Sequence, residues 1–478
     1  MWLSAISAPF GYATTVLLAR VGPQVIGTYG LLTLYIGVVT TILYLGGDAV
    51  TIKFVPLLPR QSRVSFLLSY LFIIYLSLIP WLLVATCFPS GLHYLFGTQA
   101  PPRLQLLLIY LAPLPISSMM IIAAFKSVLA IAWAQVLARI LTLGGFVIYA
   151  SLYFNCRGLL MEHYMAVIWE VYFGLIAVTC VVGVLRLKRM EEWRRSSRGF
   201  SFALPRGFWK YTISLQQTSF VGFFAARLDM ILVLNLAGLE PLGRYVAVLA
   251  VASLVQVANR LFTETLLPAL TNLLAVDNVR AASEVFTHNL RILFVVSLSV
   301  ACGSMFLIKP LTVLMGRQYA AERSLFVVML FLYGLAGPGT IGGTLLTSVG
   351  KQQRSVWVGL GQVALSGGLS VPFWRWHGLP GLVFTIGGCL ALSQVVLLIV
   401  AMYSAPLTFR FGRDYFCFFI VMSAALVLAL SAPSLGTLGG LACWGVAVGV
   451  FLLLARYSFA EVLGVAGCFV FVDRAKSQ

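Results

Sequence analysis

Charged side chains are scarce in this 478-residue sequence. Only 10% of the residues are Asp, Glu, Lys or Arg, whereas a soluble domain averages about 25%. A surface that faces water cannot be built from this composition, which excludes an ordinary soluble enzyme as well as a disordered or collagenous chain. Apolar residues make up 60% of the sequence. We therefore predict an all-α polytopic membrane protein.

The motifs of catalytic and metal chemistry are also missing. The eight cysteines form no C-x-x-C pair, the four histidines are far apart, and there is no Walker loop, H-E-x-x-H or G-x-S-x-G. Residues 337–342 satisfy G-x-G-x-x-G, but they lie inside an uncharged apolar segment rather than between a strand and a helix. We interpret them as a break in a transmembrane helix. The sequence predicts no enzyme, no bound metal and no ATP hydrolysis.

Apolar segments long enough to cross a bilayer follow one another along the chain. A hydrocarbon core about 30 Å thick requires about 20 apolar residues in a helix. We predict fourteen transmembrane helices, at residues 1–19, 26–50, 65–88, 104–125, 131–153, 164–185, 211–235, 245–270, 291–308, 325–349, 355–374, 382–403, 415–432 and 438–455.

The basic residues predict the orientation of these helices. If both termini are cytoplasmic, the inside loops hold 21 of the 32 Lys and Arg residues and the outside loops hold 8. Only Arg20, outside at the end of the first helix, disagrees locally. The net charge of +18 then reflects topology and not nucleic-acid binding, with the basic stretch 186–210 facing the anionic cytoplasmic leaflet. We predict a multi-pass membrane protein with both termini in the cytoplasm.

A short pattern recurs in the two halves of the chain. Gly22-x4-Gly27-x-Tyr29 matches Gly238-x4-Gly243-x-Tyr245 at an offset of 216 residues. This repeat predicts two six-helix lobes in the same orientation around a central cavity. The predicted domains are a first lobe (1–185), a basic cytoplasmic linker (186–210), a second lobe (211–403), two further spans (404–456) and an interfacial segment with a cytoplasmic tail (457–478).

Several further motifs lie at the ends of these predicted helices. They are Leu18-Ala19-Arg20-Val21-Gly22-Pro23 with Gly27-Thr28-Tyr29-Gly30, Arg227-Leu228-Asp229 with Gly243-Arg244-Tyr245, Leu314-Met315-Gly316 with Tyr319, Gly350-Lys351, and Gly378-Leu379-Pro380-Gly381. Together they resemble landmarks of the polysaccharide transporters in the multidrug/oligosaccharidyl-lipid/polysaccharide exporter superfamily.

The resemblance implies a flippase for undecaprenyl-diphosphate-linked oligosaccharides, used in O-antigen or exopolysaccharide assembly. Its implied partners are the lipid-linked oligosaccharide, membrane lipids, a polysaccharide polymerase and a chain-length regulator.

Ionisable residues inside the predicted spans are the candidate site residues, because burying a charge in a bilayer costs at least about 2.5 to 3.5 kcal/mol. Arginine is suited to phosphate oxygens, so substrate binding is assigned to Arg139, Arg227 and Arg260. Exchange of Na⁺ or H⁺, the only expected cofactors, is assigned to Asp48, Asp229 and Glu264. Arg260 and Glu264, four residues apart, also fit a purely structural pair.

Two other functions fit parts of the sequence. A multidrug or cation antiporter of the same superfamily would share the fold, but carboxylates without arginines are expected in a cavity for organic cations. A membrane-embedded polysaccharide-assembly enzyme would need substantial outer loops for its catalytic residues. The longest predicted outer loop, 309–324, has about sixteen residues, which favours transport.

Overall fold

The structure of the chain is a computed structural model that describes residues 2–87, 110–128, 130–190, 204–275, 277–405, 407, 412–431 and 437–455. Every regular element in these ranges is a helix. The α-helices are α1 (Trp2–Val21), α2 (Pro23–Leu43), α3 (Gly47–Phe54), α4 (Arg63–Cys87), α5 (Pro113–Ser127), α6 (Ile131–Asn155), α7 (Arg157–Glu162), α8 (Tyr164–Arg189), α9 (Phe208–Ala237), α10 (Leu239–Ala275), α11 (Val279–Phe306), α12 (Ile308–Met315), α13 (Arg323–Ala336), α14 (Thr340–Ser348), α15 (Gln353–Ser404), α16 (Gly412–Ser431) and α17 (Thr437–Ala455). Short 3₁₀ helices occupy Val55–Leu57, Arg60–Ser62, Arg317–Glu322 and Gly337–Gly339.

The described residues contain 11 helical stretches that are long and apolar enough to cross a membrane. The chain is therefore an all-α, multi-pass membrane protein, as predicted. Each of the fourteen predicted segments overlaps a described helix. The predicted orientation stays a prediction. The predicted interfacial segment and tail (457–478) and most of the linker, residues 191–203, lie outside the described residues.

Glycines break three of the long apolar segments. The predicted span 26–50 is not continuous, because α2 ends at Leu43 and α3 begins at Gly47 after Gly46 adopts a left-handed φ of 70°. The 3₁₀ turn Gly337–Gly339 separates α13 from α14, so the predicted break at 337–342 is confirmed. At 52 residues α15 is too long for one crossing, and it kinks at Gly378 (φ 61°, ψ −143°), between two predicted spans.

The first compact unit comprises Met1–Ala247. Within it α1 packs on α6, α5 on α8 and α3, and α2 on α9. Aromatic side chains fill the end of the unit near the start of α9, where the rings of Phe54, Phe66 and Tyr70 surround the buried ring of Phe208 with centroids 5.4 to 6.0 Å from its own. This core fixes where α9 begins, and α9 carries two of the predicted site residues.

The second compact unit comprises Val248–Gln478. Here α11 is central, since it packs on α13, α16 and α17. Phe294, Phe418 and Phe451 are fully buried and form an aromatic cluster between α11, α16 and α17, with centroids 5.2 to 6.5 Å apart. The predicted outer loop 309–324 is largely helical, because it contains α12 and a 3₁₀ helix anchored by the buried Tyr319.

Candidate functional site

Asp229 is a buried carboxylate with donors on both of its oxygens. It lies on α9, and only 6% of the residue is exposed. The Tyr245 hydroxyl on α10 donates to Oδ2 at 2.6 Å, and the backbone N–H of Met230 donates to Oδ1 at 2.7 Å. Hydrogen bonds of this kind offset the cost of burying a carboxylate. Tyr245 and Met230 thus hold Asp229 in a fixed orientation inside the first unit.

Two glycines position the helix that carries Tyr245. A Cβ atom on Gly27 would lie 2.5 Å from the Leu239 carbonyl oxygen and 3.2 Å from the Gly243 nitrogen. A Cβ on Gly243 would collide with the carbonyl oxygen of Pro23. The first turns of α2 and α10 therefore touch backbone to backbone, which only glycine permits. The two glycines occupy equivalent positions of the sequence repeat, and Tyr245 follows Gly243 by two residues.

Arg227 contacts a different set of atoms from Asp229, as the separation of about 200° around the helix predicts. Its Nη1 lies 3.4 Å from the Sδ atom of Met230, which is a weak acceptor. Among the residues that the structure describes, no carboxylate lies within 4.0 Å of the Arg227 guanidinium. The charges of Arg227 and Asp229 interact at longer range, and the guanidinium forms no salt bridge with an acidic side chain that the structure describes.

Asp48 lies in the first turn of α3, where a carboxylate is favoured by the helix dipole. Its Oδ1 accepts a hydrogen bond of 2.6 Å from the Tyr44 hydroxyl, and its Oδ2 is 3.8 Å from Nζ of Lys126 on α5. The Asp48 and Lys126 side chains are each 39% exposed. These partners form a local polar cluster and include none of the other predicted site residues.

The remaining predicted site residues are dispersed. Arg139 is half-buried on α6. Arg260 and Glu264 lie one turn apart on α10, but their side chains are outside the described part of the structure. The close polar contacts of Asp48, Arg227 and Asp229 are made with different residues: Asp48 contacts Tyr44 and Lys126, Arg227 contacts Met230, and Asp229 contacts Tyr245. The assignment of these residues to substrate and ions stays a prediction.

Two polar features are absent from the sequence analysis. The side chain of Asn259 is buried and its Oδ1 accepts a 3.0 Å hydrogen bond from Ser297, next to Gly337 at the break between α13 and α14. The second feature is an open surface depression along the first turns of α11, lined by Val279, Arg280, Ser283, Glu284, Thr287, His288 and Arg291. The spacing of its charged residues, at 280, 284 and 291, is the helical signal that would have revealed it.

Comparison with known proteins gives structural matches only, because no family model and no curated protein matches the sequence. An inward-facing multidrug resistance MATE family transporter of the MOP superfamily matches with a TM-score of 0.70 and 12% identity, over 83% of this chain and 94% of that chain. The lipid II flippase MurJ, in an inward closed conformation, matches with a TM-score of 0.67 and 14% identity, over 96% of this chain and 98% of its own.

A third match is a MOP superfamily transporter from Pyrococcus furiosus, described as having a binding pocket of reverse polarity. Its TM-score is 0.58 at 12% identity, over 84% of this chain and 92% of that chain. At 12 to 14% identity these matches show the fold, which the chain shares with these transporters. The resemblance found in the sequence motifs is consistent with that fold, and membership of the superfamily and of its polysaccharide transporter family stays a prediction.

Proposed function

We propose that the chain is a secondary transporter that flips undecaprenyl-diphosphate-linked oligosaccharides from the cytoplasmic to the outer leaflet of a bacterial inner membrane. The similar solved structures are transporters and a lipid II flippase, and the likeness to that flippase extends over 96% of this chain. The proposed cargo is an O-antigen or exopolysaccharide repeat unit that a polymerase and a chain-length regulator then process. Alternating access, with two lobes rocking about a central site, is the corresponding mechanism.

Arg227 is the observation that carries this proposal. An arginine in a membrane-spanning helix is costly and is retained where a partner compensates its charge. Because no described carboxylate lies within 4.0 Å of the Arg227 guanidinium, a diphosphate group is a suitable partner. The planar guanidinium donates two parallel hydrogen bonds to phosphate oxygens, a geometry that an ammonium group lacks. Arg139 and Arg260 are further candidates for the same role.

Asp229 is the proposed site of ion coupling, with Asp48 and Glu264 as further candidates. Its two oxygens already accept hydrogen bonds from Tyr245 and Met230, so a proton or Na⁺ that binds there shares the carboxylate with these donors. Replacing Asp229 by Asn removes the exchangeable charge and preserves most of the shape. We expect Asp229→Asn to bind substrate normally and to transport it at a rate that no longer depends on the ion gradient.

A multidrug or cation antiporter is the second candidate, because the MATE transporter matches the fold with a TM-score of 0.70. The positive charge of Arg227 should have opposite effects on the substrates of the two functions. A guanidinium attracts a diphosphate and repels an organic cation. Removing the guanidinium should therefore slow the flipping of an anionic lipid but leave unchanged or accelerate the export of a cationic drug.

The test uses proteoliposomes that contain the full-length protein and a fluorescent polyprenyl-diphosphate disaccharide. Flipping is read as the fraction of the probe that an impermeant quencher reaches. A charged hydrogen bond contributes about 1.5 to 3 kcal/mol, so Arg227→Ala should slow flipping at least about tenfold, and Arg227→Lys should recover part of the rate. Arg157→Ala is the matched control, since Arg157 is an exposed arginine stacked on Tyr153 at the start of α7.

Unchanged flipping by Arg227→Ala would remove the main support for the proposal. Efflux of ethidium by the wild-type protein, without flipping of the disaccharide probe, would establish the antiporter function in its place. Membrane abundance of each variant normalises the rates.

A further inference from the structure

A cavity of about 130 Å³ lies inside the first unit, between α1, α2, α6 and α8. Its lining consists of three tyrosines, two threonines, two glycines and two leucines, and none of these residues is charged at neutral pH. The tyrosines are Tyr29 on α2, Tyr149 on α6 and Tyr172 on α8, and we call the space that they line the tyrosine cavity. Five side chains with hydroxyl groups, from four helices, therefore surround one uncharged space.

Tyr149 is the fixed wall of the tyrosine cavity. Only 3% of this residue is exposed, and its hydroxyl donates a 3.2 Å hydrogen bond to the carbonyl oxygen of Ile168 on α8. Its ring meets the ring of Tyr29 at 84°, with the centroids 6.4 Å apart, which is the favourable edge-to-face arrangement of aromatic side chains. The cavity thus has an ordered aromatic wall that joins α2, α6 and α8.

The hydroxyl groups of the other two tyrosines are not used by the protein. Tyr29 and Tyr172 are half-buried, and their rings contact those of Tyr149 and Phe173. Among the residues that the structure describes, neither hydroxyl has a hydrogen-bond partner. The two phenol groups interact electrostatically with each other. Withdrawing a hydroxyl from water without a partner costs free energy, and a ligand in the cavity would compensate that cost.

The sequence repeat shows what Tyr29 lacks. Tyr245 is its equivalent at the offset of 216 residues, and the Tyr245 hydroxyl donates to the Asp229 carboxylate. At the same offset the equivalent of Asp229 is Ala13. The first copy therefore keeps the tyrosine but has no acceptor for it at that position. Thr14, the next residue along α1, lines the cavity, so the cavity lies beside the position where the second copy has its carboxylate.

The absence of charge in the lining indicates a neutral ligand. Moving an ion into a space without an opposite charge is expensive, whereas a neutral polar group only needs its hydrogen bonds replaced. A hydroxyl group can donate as well as accept. The five hydroxyl groups of the lining therefore suit a ligand that itself carries several hydroxyl groups. A sugar residue has hydroxyl groups along its edge and apolar C–H groups on its faces, which match the phenol groups and the rings of the tyrosines.

The volume limits how much of a sugar can enter. At about 130 Å³ the tyrosine cavity is close to the roughly 150 Å³ of a cavity that holds benzene. It is smaller than the roughly 300 to 1,000 Å³ of sites that enclose a drug-sized ligand. One edge of a sugar ring therefore fits, with its hydroxyl groups inside. The rest of the ring and its glycosidic bonds would remain outside, next to the partly exposed Tyr29 and Tyr172.

We infer that the tyrosine cavity binds the edge of one sugar residue of the lipid-linked oligosaccharide, and that Tyr29 and Tyr172 form hydrogen bonds with its hydroxyl groups. The assignment of this sugar to the transported lipid rests on the proposed function. The cavity then recognises the neutral part of the substrate, whereas the proposed arginines recognise the diphosphate. A carrier lipid without sugar would lack this contact and would bind more weakly.

The experiment measures binding to the detergent-purified full-length protein by native mass spectrometry. The probes are undecaprenyl diphosphate and the same lipid with one residue of glucose, galactose or N-acetylglucosamine. The ratio of the affinities for the glycosylated and the bare lipid measures the contribution of the sugar. We expect the wild-type protein to prefer at least one glycosylated lipid. Tyr29→Phe and Tyr172→Phe should each reduce this preference about two- to tenfold, which corresponds to one neutral hydrogen bond, and should leave the affinity for the bare lipid unchanged.

Thermal unfolding of the same variants separates binding from stability. Because neither hydroxyl has a partner in the described protein, Tyr29→Phe and Tyr172→Phe should have the Tm of the wild type. Tyr149→Phe removes the hydrogen bond to Ile168 and should lower the Tm. The matched control is Tyr403→Phe at a residue that is 86% exposed on α15, which should change neither the Tm nor the preference for sugar. A lower Tm for Tyr29→Phe or Tyr172→Phe would contradict the inference, because the protein would then hold that hydroxyl itself.

A change of cavity volume gives a test that keeps every hydroxyl group. A Cβ atom on Gly145 would lie 3.8 Å from Cδ1 of Leu175 and 3.9 Å from Cε2 of Tyr149, which is ordinary van der Waals contact. Gly145→Ala should therefore fold normally, occupy part of the cavity and reduce the preference for the glycosylated lipid. Gly174→Ala is the matched control on α8, since an added Cβ meets nothing within 4 Å and the residue does not line the cavity.

The remaining outcomes distinguish the inference from the proposed function. A preference for the glycosylated lipid that none of the cavity variants changes would overturn the inference and leave the proposed function intact. Equal weakening of the glycosylated and the bare lipid would also overturn it, because the effect would then concern the part that the two lipids share. A wild-type protein that binds the bare lipid equally well would show that no sugar is recognised. If the wild-type protein binds none of the four lipids, the proposed function itself fails.

Discussion

The backbone contact between α2 and α10 predicts that Gly243→Ala destabilises the protein, although alanine is the better helix former. A Cβ on Gly243 would collide with the Pro23 carbonyl oxygen and lie 3.1 Å from the Gly27 nitrogen. Both obstacles are backbone atoms, so no side-chain rotation relieves them. Overpacking of this kind costs about 1 to 3 kcal/mol, and we expect Gly243→Ala to lose about that much stability.

Gly222 on α9 provides the matched control. An added Cβ there meets nothing within 4 Å, so Gly222→Ala should stabilise the protein by about 0.4 to 1 kcal/mol through the lower entropy of the unfolded chain. The two variants make the same chemical change with opposite expected signs. A loss of 2 kcal/mol corresponds to a fall in Tm of about 4 to 8 °C for a unit of this size. Thermal unfolding of the purified protein in detergent measures the difference.

Gly27→Ala should behave like Gly243→Ala, because each glycine provides the space for the other helix. The double variant Gly27→Ala with Gly243→Ala should lose less than the sum of the two single losses, since one separation of the helices relieves both collisions. Equal Tm values for Gly243→Ala and Gly222→Ala would refute the close approach of α2 and α10.

Three further predictions concern the polar clusters and the topology. Tyr245→Phe removes a hydrogen-bond donor from the buried Asp229 carboxylate and should lower the free energy of unfolding by about 1.5 to 3 kcal/mol. Adding Asp229→Asn should recover part of this loss. A Tm of Tyr245→Phe equal to that of the wild type would contradict the prediction. Lys126→Gln breaks an ion pair with Asp48 in which both side chains are 39% exposed. The free energy of unfolding should therefore fall by less than about 1 kcal/mol. A fall in Tm that corresponds to a larger loss would show that the pair is coupled more strongly. Cysteines introduced at residues 190–200 should react with an impermeant maleimide only after permeabilisation, and labelling of intact cells would invert the predicted orientation.

The helices were predictable because their signal is length and composition. A bilayer imposes a minimum number of apolar residues, and each predicted segment overlaps a helix of the structure. The interruption after α2 was not predicted, although the adjacent Gly46 and Gly47 mark it in the sequence. The residues on both sides of that bend are apolar. Hydropathy indicates which residues favour lipid but not the direction of the backbone, so it does not reveal the bend.

The candidate site was less predictable because its contacts are made between helices. Burial cost alone identified Asp229 as a residue that needs a partner, but Tyr245 lies sixteen residues away on another helix. The first turns of α11 carry charges, so hydropathy places the start of that span at 291 and leaves Arg280 and Glu284 in a loop. The helical spacing of these charges is present in the sequence, but it is the pattern of an amphipathic surface and not of a transmembrane span.

The contact between Gly27 and Gly243 changes how the repeat itself is interpreted. Equivalent residues of two copies usually perform the same task in separate places, but here they meet, and each is the other's neighbour. A side chain at one position therefore changes the space available at the other, and we expect the two positions to vary together. Homologous sequences should accordingly gain or lose the two glycines together.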